Sequence, residues 1–289
     1  MTNTRVTTRD GNELAVYNFP ASTPQKKPRI VIVHGLGEYA DRYRHVAKRL
    51  NDAGHPVLLY DQYGHGRSTG PRGGLERTLQ LPEHLAEVIA ATASSSTSSS
   101  TSSTTSSAAS ASDQGLVLIG HSLGGLVVAS AVMRGFVKPN LLVMSSPALA
   151  VDMAAWQRAA VKVLPKITPA LTLGNGLDPN ILSHDSKVVA EYLADPLVHD
   201  RICARLGAYV ANEGEAVRAA AASWATPTLL LYAGDDHAVS PRGSREFAAS
   251  APTSVVRAQC FPQMYHEIFN EPDAADVFIA LETALANVA

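Results

Sequence analysis

Gly120-His121-Ser122-Leu123-Gly124 joins the apolar run Leu116-Val117-Leu118-Ile119 to a second apolar stretch that opens at Gly125-Leu126-Val127-Val128. The pattern reads as a strand, a very tight turn with serine at its apex, and a helix. Serine at such an apex sits on strained backbone, and glycine two residues to either side lets strand and helix pass close together. The turn lifts the Ser122 hydroxyl beyond the carboxyl end of its strand, where it can attack a carbonyl carbon. A hydroxyl is nevertheless a poor nucleophile. It needs a base to take its proton, and the base needs a carboxylate to orient it.

Those partners should follow at later strand ends, in the order serine, acid, histidine. After Leu229–Tyr232 comes Ala233-Gly234-Asp235-Asp236-His237, and after Val255–Phe261 comes Tyr265-His266-Glu267. Asp236 is followed by Val239 and Pro241, a short turn that aims its side chain back toward His266; capping or solvation is left to Asp235. Of the ten histidines, His237 and His199 lack the post-strand position, while His34, His65 and His121 fall in turns beside the site. His266 is the expected general base, against the alternative of a satisfied structural histidine. Charge developing on the carbonyl oxygen calls for two preorganised backbone donors. One is the N–H of Leu123, next after the nucleophile. The other is assigned to Leu36, in the loop His34-Gly35-Leu36-Gly37-Glu38, where two glycines let the chain bend.

Bringing three side chains from distant strands to one edge demands a parallel sheet. Apolar runs alternate with helical patterns, which predicts a mostly parallel, eight-stranded sheet with helices on both faces, an α/β fold. Val6–Arg9 and Leu14–Phe19 form an opening hairpin turned by Asp10-Gly11-Asn12. Arg29–Val33, Pro56–Tyr60, Leu116–Ile119, Leu141–Met144, Pro227–Tyr232 and Val255–Phe261 supply the other strands. Helical patterns cover Tyr43–Ala53, Leu79–Ala93, the stretch after Gly125, Ser240–Ala251 and Asp273–Val288. From Ala148 to Trp224 the strand pattern disappears, and prolines and glycines punctuate a helical region. The expected organisation is therefore a core of residues 1–147 and 225–289 with a helical cap, 148–224, over the sheet's carboxyl edge. Residues 94–107 are all serine or threonine, and alanine and serine continue to 112, a surface loop leading into the nucleophile strand.

The chain has 289 residues, is 46% hydrophobic and carries a net charge of −2, which suits one large α/β domain and argues against nucleic acid as a partner. Cys203 and Cys260, the two cysteines, form no framework of bridges and have no metal-ligand spacing. No cofactor or metal is expected. Met1-Thr2-Asn3-Thr4-Arg5 lacks the apolar core of a signal peptide, and no apolar run approaches a bilayer span. A cytoplasmic, reducing compartment is the default expectation. Met153–Pro165 carries Trp156, Val161, Val163 and Leu164 with Arg158 and Lys162. It reads either as a cap helix packed on the domain or as an interfacial helix making transient contact with a membrane surface. The segment Asp61–Ser68 is glycine-rich but lacks the ending of a phosphate loop, so it reads as a tight turn supporting the site. Oligomeric state is not encoded in any pattern here.

With these residues in view, the chain resembles the monoacylglycerol lipase family of serine α/β-hydrolases, next to bacterial lysophospholipase-like proteins. The resemblance rests on His34 to Glu38 with Arg42-Tyr43, Asp61 to Ser68 with Gly70-Pro71-Arg72-Gly73, and the segment Gly120 to Gly125. It extends to Tyr192-Leu193-Ala194-Asp195-Pro196-Leu197-Val198 and Tyr265-His266-Glu267-Ile268-Phe269-Asn270-Glu271-Pro272. It implies an α/β-hydrolase fold, a cap over an apolar acyl tunnel, and hydrolysis of the ester in a single-chain glyceride to fatty acid and glycerol. It also implies that Gly35, Glu38, Arg42, His121 and Tyr192 lie near the polar end of the substrate pocket. A Glu38–Arg42 ion pair that only shapes the loop is the competing reading. The same trio would also serve a lysophospholipase or a broad-specificity carboxylesterase. A non-catalytic receptor of this fold should lack one of the three.

Overall fold

In the run Arg29–Val33, Ile30 and Ile32 enter one apolar layer while Val31 and Val33 enter another. Burial on both faces is why the segment is apolar throughout and does not alternate with polar residues. The computed structural model describes residues 1–21, 27–94 and 115–288. Its main sheet is built from β1 (Thr2–Thr7), β2 (Glu13–Phe19), β3 (Arg29–Val33), β4 (Val57–Tyr60), β5 (Leu116–His121) and β6 (Leu141–Ser145). Two strands of a separate ribbon follow, β7 (Thr172–Gly174) and β8 (Arg201–Cys203), before β9 (Thr228–Ala233) and β10 (Val256–Phe261) complete the main sheet. The order across it is β1-β2-β4-β3-β5-β6-β9-β10. β2 runs antiparallel to both neighbours, and every pairing from β4 to β10 is parallel.

Helices α1 (Arg44–Asp52) and α8 (Ala275–Leu285) cover one face, and α2 (Gln80–Ser94), α3 (Leu123–Met133) and α7 (Pro241–Ser250) the other. Between β6 and β9 lie α4 (Ala155–Ile167), α5 (Ser186–Ala194) and α6 (Ala204–Ala219); α6 packs on both α3 and α4. The eight-stranded sheet and its helices match the expectation, with two corrections. The opening strand runs Thr2–Thr7, four residues ahead of the predicted start, because only Val6 in it is buried and an exposed edge strand shows no apolar pattern. The insertion is not free of strands, since β7 and β8 pair antiparallel in it; three-residue strands are too short to show a period. The serine-rich tract lies, from residue 95 on, outside the described residues.

Candidate active site

β5 ends at His121 and α3 begins at Leu123, so Ser122 alone makes the turn. Its backbone adopts φ 54° and ψ −118°, a conformation that costs a non-glycine residue about 1–3 kcal/mol. Three backbone bonds hold it there. Ser122 N donates to Ser145 O at 2.9 Å, while Ser122 O accepts from Leu126 N at 3.1 Å and Ala148 N at 3.0 Å. The flanking glycines answer to close approach. A Cβ on Gly120 would overlap the Gly124 carbonyl, and one on Gly124 would overlap the carbonyl oxygens of Val33 and His34. Gly124 thereby seats α3 against the root of the loop that carries Leu36.

Asp236 and His266 are both buried. Asp236 Oδ1 accepts from Ala238 N and Val239 N, each at 2.9 Å, and the tight turn foreseen from Val239 and Pro241 orients the carboxylate. Its Oδ2 lies 2.7 Å from His266 Nδ1. A carboxylate there accepts a hydrogen bond from Nδ1–H, which fixes that tautomer and leaves Nε2 as the basic nitrogen. Burial alone would lower the pKa of His266, but the charge and hydrogen bond of Asp236, together with the charges of Glu267 and Glu38, outweigh burial and raise it. Asp235 instead faces His237 at 3.0 Å, with both side chains half exposed. The His121 ring lies 4.6 Å from the His266 ring, and burial, reinforced by the charge of His266, holds its pKa well down, so it stays neutral. Ser122 and His266 line one cavity. Among the described residues the Ser122 hydroxyl has no hydrogen-bond partner. Serine–imidazole contacts are commonly loose without substrate and tighten when it binds.

Neither the N–H of Leu36 nor that of Leu123 meets a backbone acceptor among the described residues. The loop carrying Leu36 is fixed from below. His34 Nε2 accepts from Gln62 N at 2.9 Å, so its Nδ1 donates to Gly35 O at 2.8 Å, and Gln62 Nε2 donates to His34 O at 2.7 Å. Asp61 accepts from Ala40 N, Arg67 N and the Tyr17 hydroxyl at 2.9, 2.8 and 3.0 Å. At Gly66 a Cβ would collide with that carboxylate. The glycine-rich segment is thus a brace under the candidate oxyanion loop, as its sequence suggested.

Glu38 Oε1 accepts from Gly35 N at 2.5 Å and the Tyr43 hydroxyl at 2.7 Å. Burial pushes its carboxyl pKa up, and the Arg42 charge offsets only part of that. Arg42 reaches Glu38 at 3.2 Å and grips Glu267 with two bonds of 2.8 Å, its guanidinium 4.7 Å over the Tyr192 ring. Gly35, Glu38, His121 and Tyr192 line the cavity, of about 480 Å³; Arg42 does not. The rest of the wall is mostly apolar, with Trp156, Val161 and Leu164 from α4, Leu173 and Leu177 from the ribbon and its turn, and Val210 from α6. Glu267 is the residue that sequence reasoning missed. Its position next to His266 was visible, but its pairing with an arginine 225 positions away was not.

A protein-family model described as serine aminopeptidase, S33, matches residues 24–273. A monoacylglycerol lipase of Mycolicibacterium smegmatis is 32% identical over 87% of this chain and 86% of its own length. An uncharacterized abhydrolase domain-containing protein of Dictyostelium discoideum is 31% identical over 86% of this chain, which spans a quarter (25%) of that longer protein. Among solved structures, the crystal structure of Paleococcus ferrophilus monoacylglycerol lipase superimposes with a TM-score of 0.78 at 33% identity, covering 94% of this chain and 98% of that one.

Proposed function

From membership of the serine aminopeptidase S33 family, to which this chain belongs as an α/β-hydrolase of the lipase and esterase kind, we propose that it cleaves monoacylglycerol to fatty acid and glycerol. Ser122 Oγ attacks the ester carbonyl as His266 Nε2 takes its proton, and the amides of Leu36 and Leu123 hold the oxyanion. His266 then gives that proton to the departing glycerol oxygen, leaving an acyl-Ser122 ester. Water, activated by the same nitrogen, releases the fatty acid and restores the serine. Glycerol, in this reading, lies against Gly35, Glu38, His121 and Tyr192, and Arg42 acts on it only through Glu38 and Glu267.

The observation that carries this reading is the apolar cavity opening directly on Ser122, roofed by α4. An aminopeptidase would need a free carboxylate for its substrate's ammonium group. The two buried carboxylates lining the cavity, Glu38 and Glu267, are already paired with Arg42. The test is a matched panel of mono-, di- and triacylglycerols, a lysophospholipid, p-nitrophenyl esters and an aminoacyl amide. A strong bias toward the monoacylglycerol is expected. Equal rates across the esters would leave a broad carboxylesterase, and preference for the lysophospholipid would move the substrate to that class.

The partner reading follows from α4, none of whose residues is buried. Val163 and Ile167, 49% and 70% exposed, lie one turn apart beside Lys162 and Lys166. We propose that this stripe meets an anionic lipid surface, delivering substrate to the cavity below. Among the described residues no helix is long and apolar enough to cross a membrane.

A further inference from the structure

The loop that carries His266 is held from outside the core. Residues 182–185, leading into α5, lie along residues 265–271. Glu267 N donates to Leu182 O at 2.8 Å, and Ser183 Oγ donates to Asn270 O at 2.8 Å. Glu271 then accepts twice from one residue, with His184 N reaching Oε1 at 2.8 Å and His184 Nδ1 reaching Oε2 at 2.7 Å. The His184 ring also stacks on Tyr265, with centroids 3.7 Å apart and planes inclined by 23°. Tyr265 immediately precedes His266, and Glu271 closes the same loop.

These contacts bracket His266 without touching it. The imidazole keeps its 2.7 Å bond to Asp236 only while the peptide at 265–266 stays where it is. On the core side Asp236 fixes the ring. On the outer side the residue before it is clamped by a ring from the insertion. We infer that His184 is a positioning residue for His266, acting through Tyr265 and Glu271. The insertion would then not merely cover the site but align its base.

This inference rests on His266 being the base. The charged and titratable groups facing His266 include Asp236, His121, Glu38 and Glu267; His184 faces Glu271 and Tyr265, and Tyr265 also meets the His237 ring at 5.7 Å. None of the first four is altered by changing His184, so a shift in the titration of His266 would report its alignment. A simple staple would behave differently, lowering the melting temperature while leaving the kinetics of folded molecules unchanged.

The experiment measures kcat, KM and the acidic limb of kcat on a short soluble ester for His184→Ala, His184→Phe and His184→Asn. His184→Phe keeps the stack and His184→Asn keeps a donor near Glu271. For His184→Ala, kcat should fall about tenfold, short of the roughly hundredfold that a 1 Å displacement can cause. KM should be unchanged, and the acidic limb should move to lower pH as the Asp236 contact loosens. His184→Phe should recover part of both. A folded His184→Ala with unaltered kcat and limb overturns the inference. If that variant does not fold, unaltered limbs in both His184→Phe and His184→Asn overturn it equally. Fluorophosphonate labelling of the unmodified protein separates the two levels. A labelled protein with an acidic limb leaves only the His184 inference at stake, whereas an unlabelled one removes the parent reading and this inference with it.

Discussion

The segment between β6 and β9 has two halves that are built differently. Its lower half is knitted to the loops around the candidate site. His199 N donates to Gly37 O at 2.8 Å, Cys203 N to Gly73 O at 2.8 Å, and the Tyr39 hydroxyl to Asp195 at 2.5 Å. At Gly37 and Gly73 an added Cβ would run into the carbonyls of His199 and Arg201. The upper half, α4, buries none of its residues, and Trp156 stands 71% exposed. The contrast separates two requirements. Groups that stabilise a transition state must not move by even an ångström, whereas the roof of this apolar cavity would have to let the proposed long-chain substrate pass.

The sharpest way to break that contrast is to remove the chemistry of the floor, the candidate site's loops to which the lower half is knitted, while leaving the roof, α4, untouched. Ser122→Ala should lower turnover on a short acyl ester by on the order of 10⁶, as in other serine hydrolases. Retention of most activity would mean that the tight floor exists for something other than this reaction. A stopped assay with purified protein, checked for contaminating esterase by fluorophosphonate labelling, is sufficient.

Asp236→Asn comes next, at about 10⁴ in kcat by analogy with the equivalent change elsewhere. It also tests the pH logic. His266 must be neutral to act, and Asp236 raises its pKa, so activity should climb as pH rises through a value above the ordinary imidazole figure of about 6.5. Without the Asp236 charge, the residual activity should climb at lower pH. Stability carries the opposite sign for three buried imidazoles and one half-buried one. Burial depresses the pKa values of His34, His65, His121 and His199, the last to about 4. Their contribution is complete above the unfolded value near 6.5 and is lost as pH falls through the depressed ones. His266 contributes the reverse, its share present below about 6.5 and lost as pH rises through its raised folded value. Thermal melts against pH should therefore show acid loss even though His266 is being protonated.

Local features and long-range pairings also differ in how readable they were. Ser122, Asp236 and His266 were legible as candidates because strand ends, turns and the order of partners are written locally. The brace at Asp61–Ser68 was legible from its glycines. The knitting was not. Arg42 with Glu267, His184 with Tyr265, and His199 with Gly37 join residues far apart in sequence, and no period or motif marks such a pair. β7 and β8 escaped for a simpler reason, being three residues long and paired only with each other. The start of the exposed edge strand β1 was placed four residues late because Val6 is its sole buried residue.

A smaller effect probes the floor's packing. Gly124→Ala forces a methyl group against two backbone carbonyls, of Val33 and His34, which cannot rotate away as side chains do. Overpacking of this kind destabilises by about 1–3 kcal/mol. Because His34 roots the Leu36 loop, kcat should fall along with the melting temperature. Wild-type stability in this variant would show that the close approach is not a constraint.

The smallest effect belongs to the roof and sharpens the contrast from its other side. Trp156 and Leu164 line the cavity, so changing them would mix substrate binding with any surface contact. Val163 and Ile167 do not line it, and they lie at i and i+4 on the outer stripe. Val163→Ser with Ile167→Ser should leave turnover of a soluble ester unchanged and shift stability by no more than about 0.5 kcal/mol, as surface changes usually do. Burying such a side chain in lipid is worth about 1.5–3 kcal/mol. Co-sedimentation with anionic vesicles should therefore drop at least about tenfold, since 1.4 kcal/mol is already a factor of ten. Unchanged vesicle binding would assign α4 the role of a packed cover only. A drop in soluble-ester turnover would show that the roof, despite its exposure, is coupled to the floor.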